Sequence, residues 1–368
     1  MQKEIQIRGG ISRALKVFRN RKKGRIAFIG GSITEMNGYT ALTSEMFRQL
    51  FPRCNFRFVN AGISSTCSNT GAFRFGKDVL KKGKTDLLFI EFAVNDNQDG
   101  HLPPAASIRA MEGLVRQALR SNPAMDIVFL YTANESHNET FRNGKVPREI
   151  RAMEKVARHY HISSINFAVN VARSLAEGKY DWQKDFGGVH PAPFGNRIYC
   201  NMIKQLVEYS PDNSERKMPE KLLDANSLVS GKLLPVSAAS HDKNWKIGIP
   251  DWENLPGAKR VRFTNIPTLF SDVPGAEFSL KFNGNCIGLY LTAGPDAGTI
   301  RYSIDGNPFK STDLFHPYSG GLHYPYTKML AEKLTPGKHS LVIRIGKKRN
   351  PSSKGNAVRI VNFSVNSL

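Results

Sequence analysis

The chain has 368 residues, 40% hydrophobic and 10% aromatic, with 52 Lys and Arg against 31 Asp and Glu. That length fills two cores rather than one, and the composition excludes a disordered chain, a collagen and a coiled coil. Apolar runs such as 26–29 and 87–90 fall far short of the roughly 20 residues that cross a bilayer, so no membrane insertion is expected.

In chain order, residues 1–23 form a basic N-terminal extension, and residues 1–25 hold nine Lys or Arg and one Glu. No intact leader is legible there, and the compartment is left open with a leaning to export, periplasmic or secreted, the leader already removed. From residue 24 short apolar runs alternate with amphipathic helical stretches. Strands are predicted at 25–30, 56–59, 86–92, 126–131 and 162–166. Helices are predicted at 39–51, 78–82, 105–121, 147–160 and 195–207. This period predicts a three-layer α/β/α, flavodoxin-like parallel sheet over 24–210. Right-handed crossovers put the C-terminal ends of its strands on one edge, where sites in such sheets form.

Residues 211–225 are polar, contain two prolines, and read as a linker. Beyond them the apolar period becomes two, as in Phe278, Leu280 and Phe282, or Leu341, Ile343 and Ile345. Asn-Gly, Asp-Gly and Pro-Gly turns separate these runs, predicting an antiparallel, jelly-roll-like β-sandwich over 226–368. The aromatics between Phe315 and Tyr326 suit packing between domains better than stacking on sugars.

The net charge of +21 is spread evenly, +11 over residues 1–215 and +10 over 216–368. A nucleic-acid binder concentrates its charge on one element or interleaves it with aromatics, so nucleic acid is not expected as a partner, whereas an acidic polysaccharide is compatible. Cys54, Cys67, Cys200 and Cys286 make no metal spacing and read as free buried thiols. No metal and no cofactor are expected, and the oligomeric state is not legible.

Four segments converge on the active edge. Gly30-Gly31-Ser32-Ile33-Thr34 follows the first strand, the segment from Asn60 to Ser65 closes the second, Asn95-Asp96 closes the third, and Gly187-Gly188-Val189-His190 precedes the last helix. Acyl transfer needs a nucleophile, a base that works near neutral pH and donors aimed at the developing oxyanion. Ser32, His190 and Asn95 supply one of each. Taken alone, Ser32 is equally well read as a helix cap.

The order and spacing of these blocks resemble the SGNH hydrolases, the GDSL esterase/lipase family, over residues 24–210. The resemblance implies Ser32 as nucleophile and His190 as base. It also implies an oxyanion hole of the Ser32 N–H, the Asn95 side-chain amide and a second-block N–H, from Ser65 or the nearby Gly62. Gly31 stands where the family often has Asp, Ser65 where it has Gly, and Ala93 where it has Gly. The family's triad Asp falls at Gly187, so Asp185 is the expected acid. Asp181, or a Ser–His dyad held by a carbonyl, are the alternatives. His137, in the loop after the fourth strand, is read as a substrate contact or a surface histidine. Asp96 and Asn97 read as braces of the third-block loop.

The expected function is a serine esterase removing short acyl groups, acetyl first, from a carbohydrate or polysaccharide. The carbohydrate part follows from the analogy of SGNH domains joined to a β-sandwich. A general or lipid acyl esterase is the alternative within enzymes, and a glycan-binding protein on a degenerate hydrolase scaffold the alternative outside them.

Overall fold

A computed structural model describes residues 3–212 and 218–367 of the chain, which divides after Val229 into two units. In the first unit the sheet runs in the order β1 (Ile5–Gln6), β6 (Ser163–Asn166), β5 (Asp126–Tyr131), β4 (Leu87–Glu91), β2 (Lys23–Gly30), β3 (Asn55–Gly62). All pairs are parallel except β1 with β6. Helices α1 (Ser12–Asn20), α2 (Ser32–Glu35), α3 (Tyr39–Leu50), α4 (Ser68–Asp78), α5 (Pro104–Ser121), α6 (Glu135–Arg142), α7 (Arg148–His159), α8 (Phe167–Ala176) and α9 (Pro193–Tyr209) complete it.

β4 and β5 are buried along their whole length, as the unbroken apolar runs in their sequences require of strands covered on both faces. Phe28 and Phe89 stack across β2 and β4 with centroids 5.2 Å apart. The chain passes from β2 to β3 on one side and then to β4 on the other. The crevice between β2 and β4 is therefore the topological switch point, where the C-terminal ends open a site.

Two expectations at the ends of this unit are corrected. Residues 3–23 are not an appendage: β1 pairs with β6, and α1 buries Ala14, Leu15 and Phe18. Basic residues alternating with apolar ones at helical spacing hide that amphipathicity in the overall charge. Nor is 211–225 simply a linker. Part of it, 213–217, lies outside the described residues, but Leu223 N–H (2.8 Å), Asp224 N–H (3.2 Å) and the Ser227 hydroxyl all donate to the carboxylate of Glu112 on α5. A buried carboxylate requires such donors, and a polar segment supplies them.

The second unit is a β-sandwich. One sheet has the order β15 (Tyr324–Ala331), β12 (Ile287–Ala293), β17 (Val358–Asn366), β10 (Thr268–Ser271), β9 (Lys246–Gly248), with β7 (Gly231–Leu234) also on β17. The other has the order β14 (Lys310–Asp313), β13 (Thr299–Ile304), β16 (Gly337–Ile345), β11 (Glu277–Gly284), β8 (Ala239–His241), and every pair in both is antiparallel. The period-two residues Phe278, Leu280, Phe282, Leu341, Ile343 and Ile345 point into its core, whereas Ser279 and Lys281 face out. The rings of the aromatic segment stack on one another, His316 on Tyr324 with centroids 3.9 Å apart and planes 6° from parallel. Among the described residues no helix is long and apolar enough to cross a membrane.

Candidate active site

Ser32 is the first residue of α2, two residues past the end of β2. The sharp strand-to-helix turn is possible because Gly30 and Gly31 have no side chains. A Cβ on Gly30 would lie 2.2 Å from Thr34 Oγ1, and one on Gly31 would lie 1.9 Å from Asn95 Oδ1. The serine hydroxyl meets the imidazole of His190, with Oγ to Nε2 at 2.8 Å. This contact is exposed, so both groups can reach a solute.

Asn95 opens a short π-helical turn after β4. Its Nδ2 donates to Asp99 Oδ2 at 2.6 Å, while its buried Oδ1 has no hydrogen-bond partner among the described residues. The carboxylate of Asp99 sets the amide's orientation, because a flipped amide would bring two oxygens together. Asn95 is thus pinned against the turn that carries Ser32, with one N–H on Asp99 and a second available.

The second block separates its two candidates. The Gly62 N–H donates to Asn60 Oδ1 at 2.9 Å. Ser65 has φ +71°, in the left-handed region that favours glycine, which accounts for a position where the resembled family has Gly. The loop is tied to α2 through Glu35, whose carboxylate accepts the Ser64 N–H at 2.8 Å and the Ser64 hydroxyl.

Before His190, Gly187 and Gly188 have φ +93° and +72°. A Cβ at Gly187 would lie 2.4 Å from the Ala192 nitrogen, so no aspartate fits there in this conformation. Asp185 Oδ2 accepts the Asp181 N–H at 2.8 Å, and Asp181 Oδ1 accepts the N–H groups of Gln183 (2.8 Å) and Lys184 (2.6 Å). Both carboxylates close the turn that leads into the His190 loop.

His137 is corrected outright. It lies in the first turn of α6 with none of its surface exposed, its Nδ1 3.0 Å from the Thr132 carbonyl. Burial pushes its pKa down. The Asn134 side chain, accepting the His137 N–H at 2.8 Å, starts a helix where a loop was expected. Asp96 is a brace, but a distant one: it accepts the N–H (2.8 Å) and hydroxyl (2.7 Å) of Ser68 on α4 and the hydroxyl of Ser107 (2.7 Å) on α5. Burial raises its carboxyl to about 6. Asn97 Oδ1 accepts from Asn134 Nδ2 at 3.1 Å.

Two residues that support this geometry escaped the sequence reading. Glu91, fully buried at the end of β4, accepts the Thr34 (2.9 Å) and Thr132 (2.8 Å) hydroxyls and the Gly31 N–H, and burial raises its carboxyl above the usual range. A carboxylate ending an otherwise apolar strand was the available signal. Asn196 on α9 donates to the Pro191 carbonyl at 2.5 Å and accepts the Tyr39 N–H at 2.7 Å, joining the His190 loop to the helix that follows Ser32. No local pattern marks it. All four cysteines are free, and among the described residues no group of three His, Cys, Asp or Glu side chains is arranged to hold a metal ion.

Residues 28–198 match the GDSL-like lipase/acylhydrolase family. The first unit is a domain of that family, and the protein is a carboxylic ester hydrolase of the GDSL type. Two solved structures of a two-domain esterase (CEX) active on acetylated mannans are similar over 99% of this chain and 99% of theirs. One, co-crystallised with mannopentaose, has 19% sequence identity and a TM-score of 0.75; the other has 20% and 0.74. The likeness shows a shared fold, an α/β unit followed by a β-sandwich. No curated protein sequence matches the chain significantly.

Proposed function

We propose that the protein is a serine esterase that removes acetyl groups from a polysaccharide, with Ser32 as nucleophile and His190 as base. The observation that carries this is the 2.8 Å contact between Ser32 Oγ and His190 Nε2 at the switch point of the sheet. For Nε2 to accept, the ring proton resides on Nδ1. As Oγ bonds to the ester carbonyl carbon, its proton passes to Nε2 and the carbonyl oxygen takes the negative charge. The N–H groups of Ser32 and Ser65 and the second N–H of Asn95 are the donors for that oxyanion. The imidazolium then protonates the departing sugar oxygen as the C–O bond breaks, leaving an acetyl-serine. Water, losing its proton to Nε2, attacks that ester; as the bond to Oγ breaks the imidazolium returns the proton to Oγ, and acetic acid leaves and ionises to acetate.

Of the alternatives for the acid, Asp185, Asp181 or a dyad held by a carbonyl, we propose the dyad. Asp185 is engaged by the Asp181 N–H, and the proposal rests on the Ser32–His190 pair, supported by the oxyanion donors. The carbohydrate part draws on the two-domain esterases that share the fold and act on acetylated mannans. Turnover of p-nitrophenyl acetate against longer acyl esters, together with acetate release from acetylated mannan and xylan, tests the proposal. Preference for long acyl chains overturns the deacetylase reading. Binding of glycans with no ester hydrolysis at all makes the chain a binding protein on a hydrolase scaffold.

A further inference from the structure

The edge of the sheet opposite Ser32 carries a second feature that ester hydrolysis does not use. The starts of β2 and β3, the loop before β4 and the residue after α1 surround a depression of about 370 Å³. It is lined by Arg21, Lys23, Arg25, Arg57 and Lys84, with Asp86 as the single carboxylate. Arg21, Lys23, Arg57 and Lys84 are exposed and Arg25 is half-buried, and among the described residues no ion pair joins any of the five to a carboxylate. Asp86 accepts the backbone N–H of Arg25 at 2.9 Å, which occupies one of its oxygens. The Arg25 guanidinium lies against the backbone of Gly83, at φ +118°, where a Cβ would come within 2.8 Å of it. Five like charges around one depression repel one another, and an anion in it offsets that repulsion.

We propose that this depression is an anchoring site for the carboxylates of a uronic-acid-containing polysaccharide, separate from the site of ester hydrolysis. The proposal rests on the deacetylase reading for its choice of polymer and makes the substrate class an acidic, acetylated glycan. Backbone groups of β2 and β3 here are taken up by the sheet ladder from Lys23 and Asn55 onward, so the donors are side chains on three separate elements. Such donors suit several spaced carboxylates better than one compact anion, which is commonly held by a nest of backbone N–H groups. No aromatic ring lines the depression, and single-stranded nucleic acid relies on such rings for stacking. The eight residues of β2 separate this edge from Ser32 by about 26 Å. One extended chain held at the anchoring edge raises the effective concentration of its neighbouring segments at the other.

The test uses the full-length protein and an oligogalacturonate without ester groups, titrated by calorimetry. Binding is expected to weaken at least tenfold between about 0.02 M and 0.2 M salt, and at least tenfold in the double variant Arg57→Gln, Lys84→Gln. Both of these residues are exposed, so the variant keeps its fold, as a thermal melt checks. Turnover of p-nitrophenyl acetate is expected to be unchanged, while KM rises for an acetylated acidic glycan and not for acetylated mannan. Unaltered oligogalacturonate affinity in the double variant overturns the proposal. So does a DNA oligonucleotide or inorganic phosphate that displaces the oligogalacturonate at equal charge concentration. If the unaltered protein hydrolyses no acetyl ester yet loses oligogalacturonate in the double variant, the anchoring site stands and the deacetylase reading falls.

Discussion

The side chain of Asn95 occupies the space that a side chain on Gly31 would need, with 1.9 Å between Oδ1 and the position of a Cβ. The proposed oxyanion donor and the turn that carries Ser32 are therefore packed as one piece. Gly31→Ala forces Asn95 off Asp99 or distorts the turn, and turnover is expected to fall by about 10² or more. Gly31→Asp, which restores the residue common in the family, is expected to be at least as damaging. Steady-state kinetics with p-nitrophenyl acetate measures both, and a Gly31→Asp variant with full activity contradicts the packing argument.

Ser32→Ala and His190→Ala are each expected to lower turnover by roughly 10⁴–10⁶ with little change in thermal stability, and the double variant to be no worse than either single one. Their contact is exposed, so neither holds the core together. Asn95→Ala is expected to cost roughly 10²–10³ in turnover, the scale for one oxyanion donor.

The turn before His190 gives a prediction about the acid. An asparagine at 185 keeps an oxygen for the Asp181 N–H that Asp185 now accepts, so Asp185→Asn is expected to retain turnover within about tenfold. Asp181→Asn is expected to do the same. A loss of about 10⁴ in Asp185→Asn alone, the scale for a triad acid, would show that the carboxylate reaches the imidazole during the reaction. Thermal melts of both variants separate this from unfolding.

Asp96 makes stability depend on pH. Its carboxyl is raised from 3.8 to about 6, chiefly by burial and against the pull of its hydrogen bonds from Ser68 and Ser107. The folded state therefore holds a proton that the unfolded state has released, and this contribution is complete below 3.8 and lost as pH rises through about 6. Comparing melts of the unaltered protein and Asp96→Asn from pH 4 to 7, the unaltered protein is expected to lose more. Parallel curves would show that Asp96 does not titrate there.

Much of this protein is legible in its sequence because the signals are local. The unbroken apolar runs of β4 and β5, the period of two in β11 and β16, and the glycine turn before Ser32 each follow from neighbours a few residues apart. The blocks around Ser32, Asn95 and His190 are legible for the same reason: each is a strand end or helix start with its own turn chemistry. Tertiary structure decided the rest, through contacts between distant residues. Asn196 meets Tyr39 across 157 positions, and Arg8 donates to Glu154 and Ser164 across 146 and 156. Such pairings fold the basic N-terminal residues into the sheet and fix the histidine loop. Burial made the remaining choices, since it removes water from whichever polar group lies inside and obliges that group to find a partner. It took His137 into the core and set the Glu91 carboxylate against the Gly31 N–H in the turn that carries Ser32. No residue's identity carries that information, because desolvation belongs to the surroundings and not to the side chain.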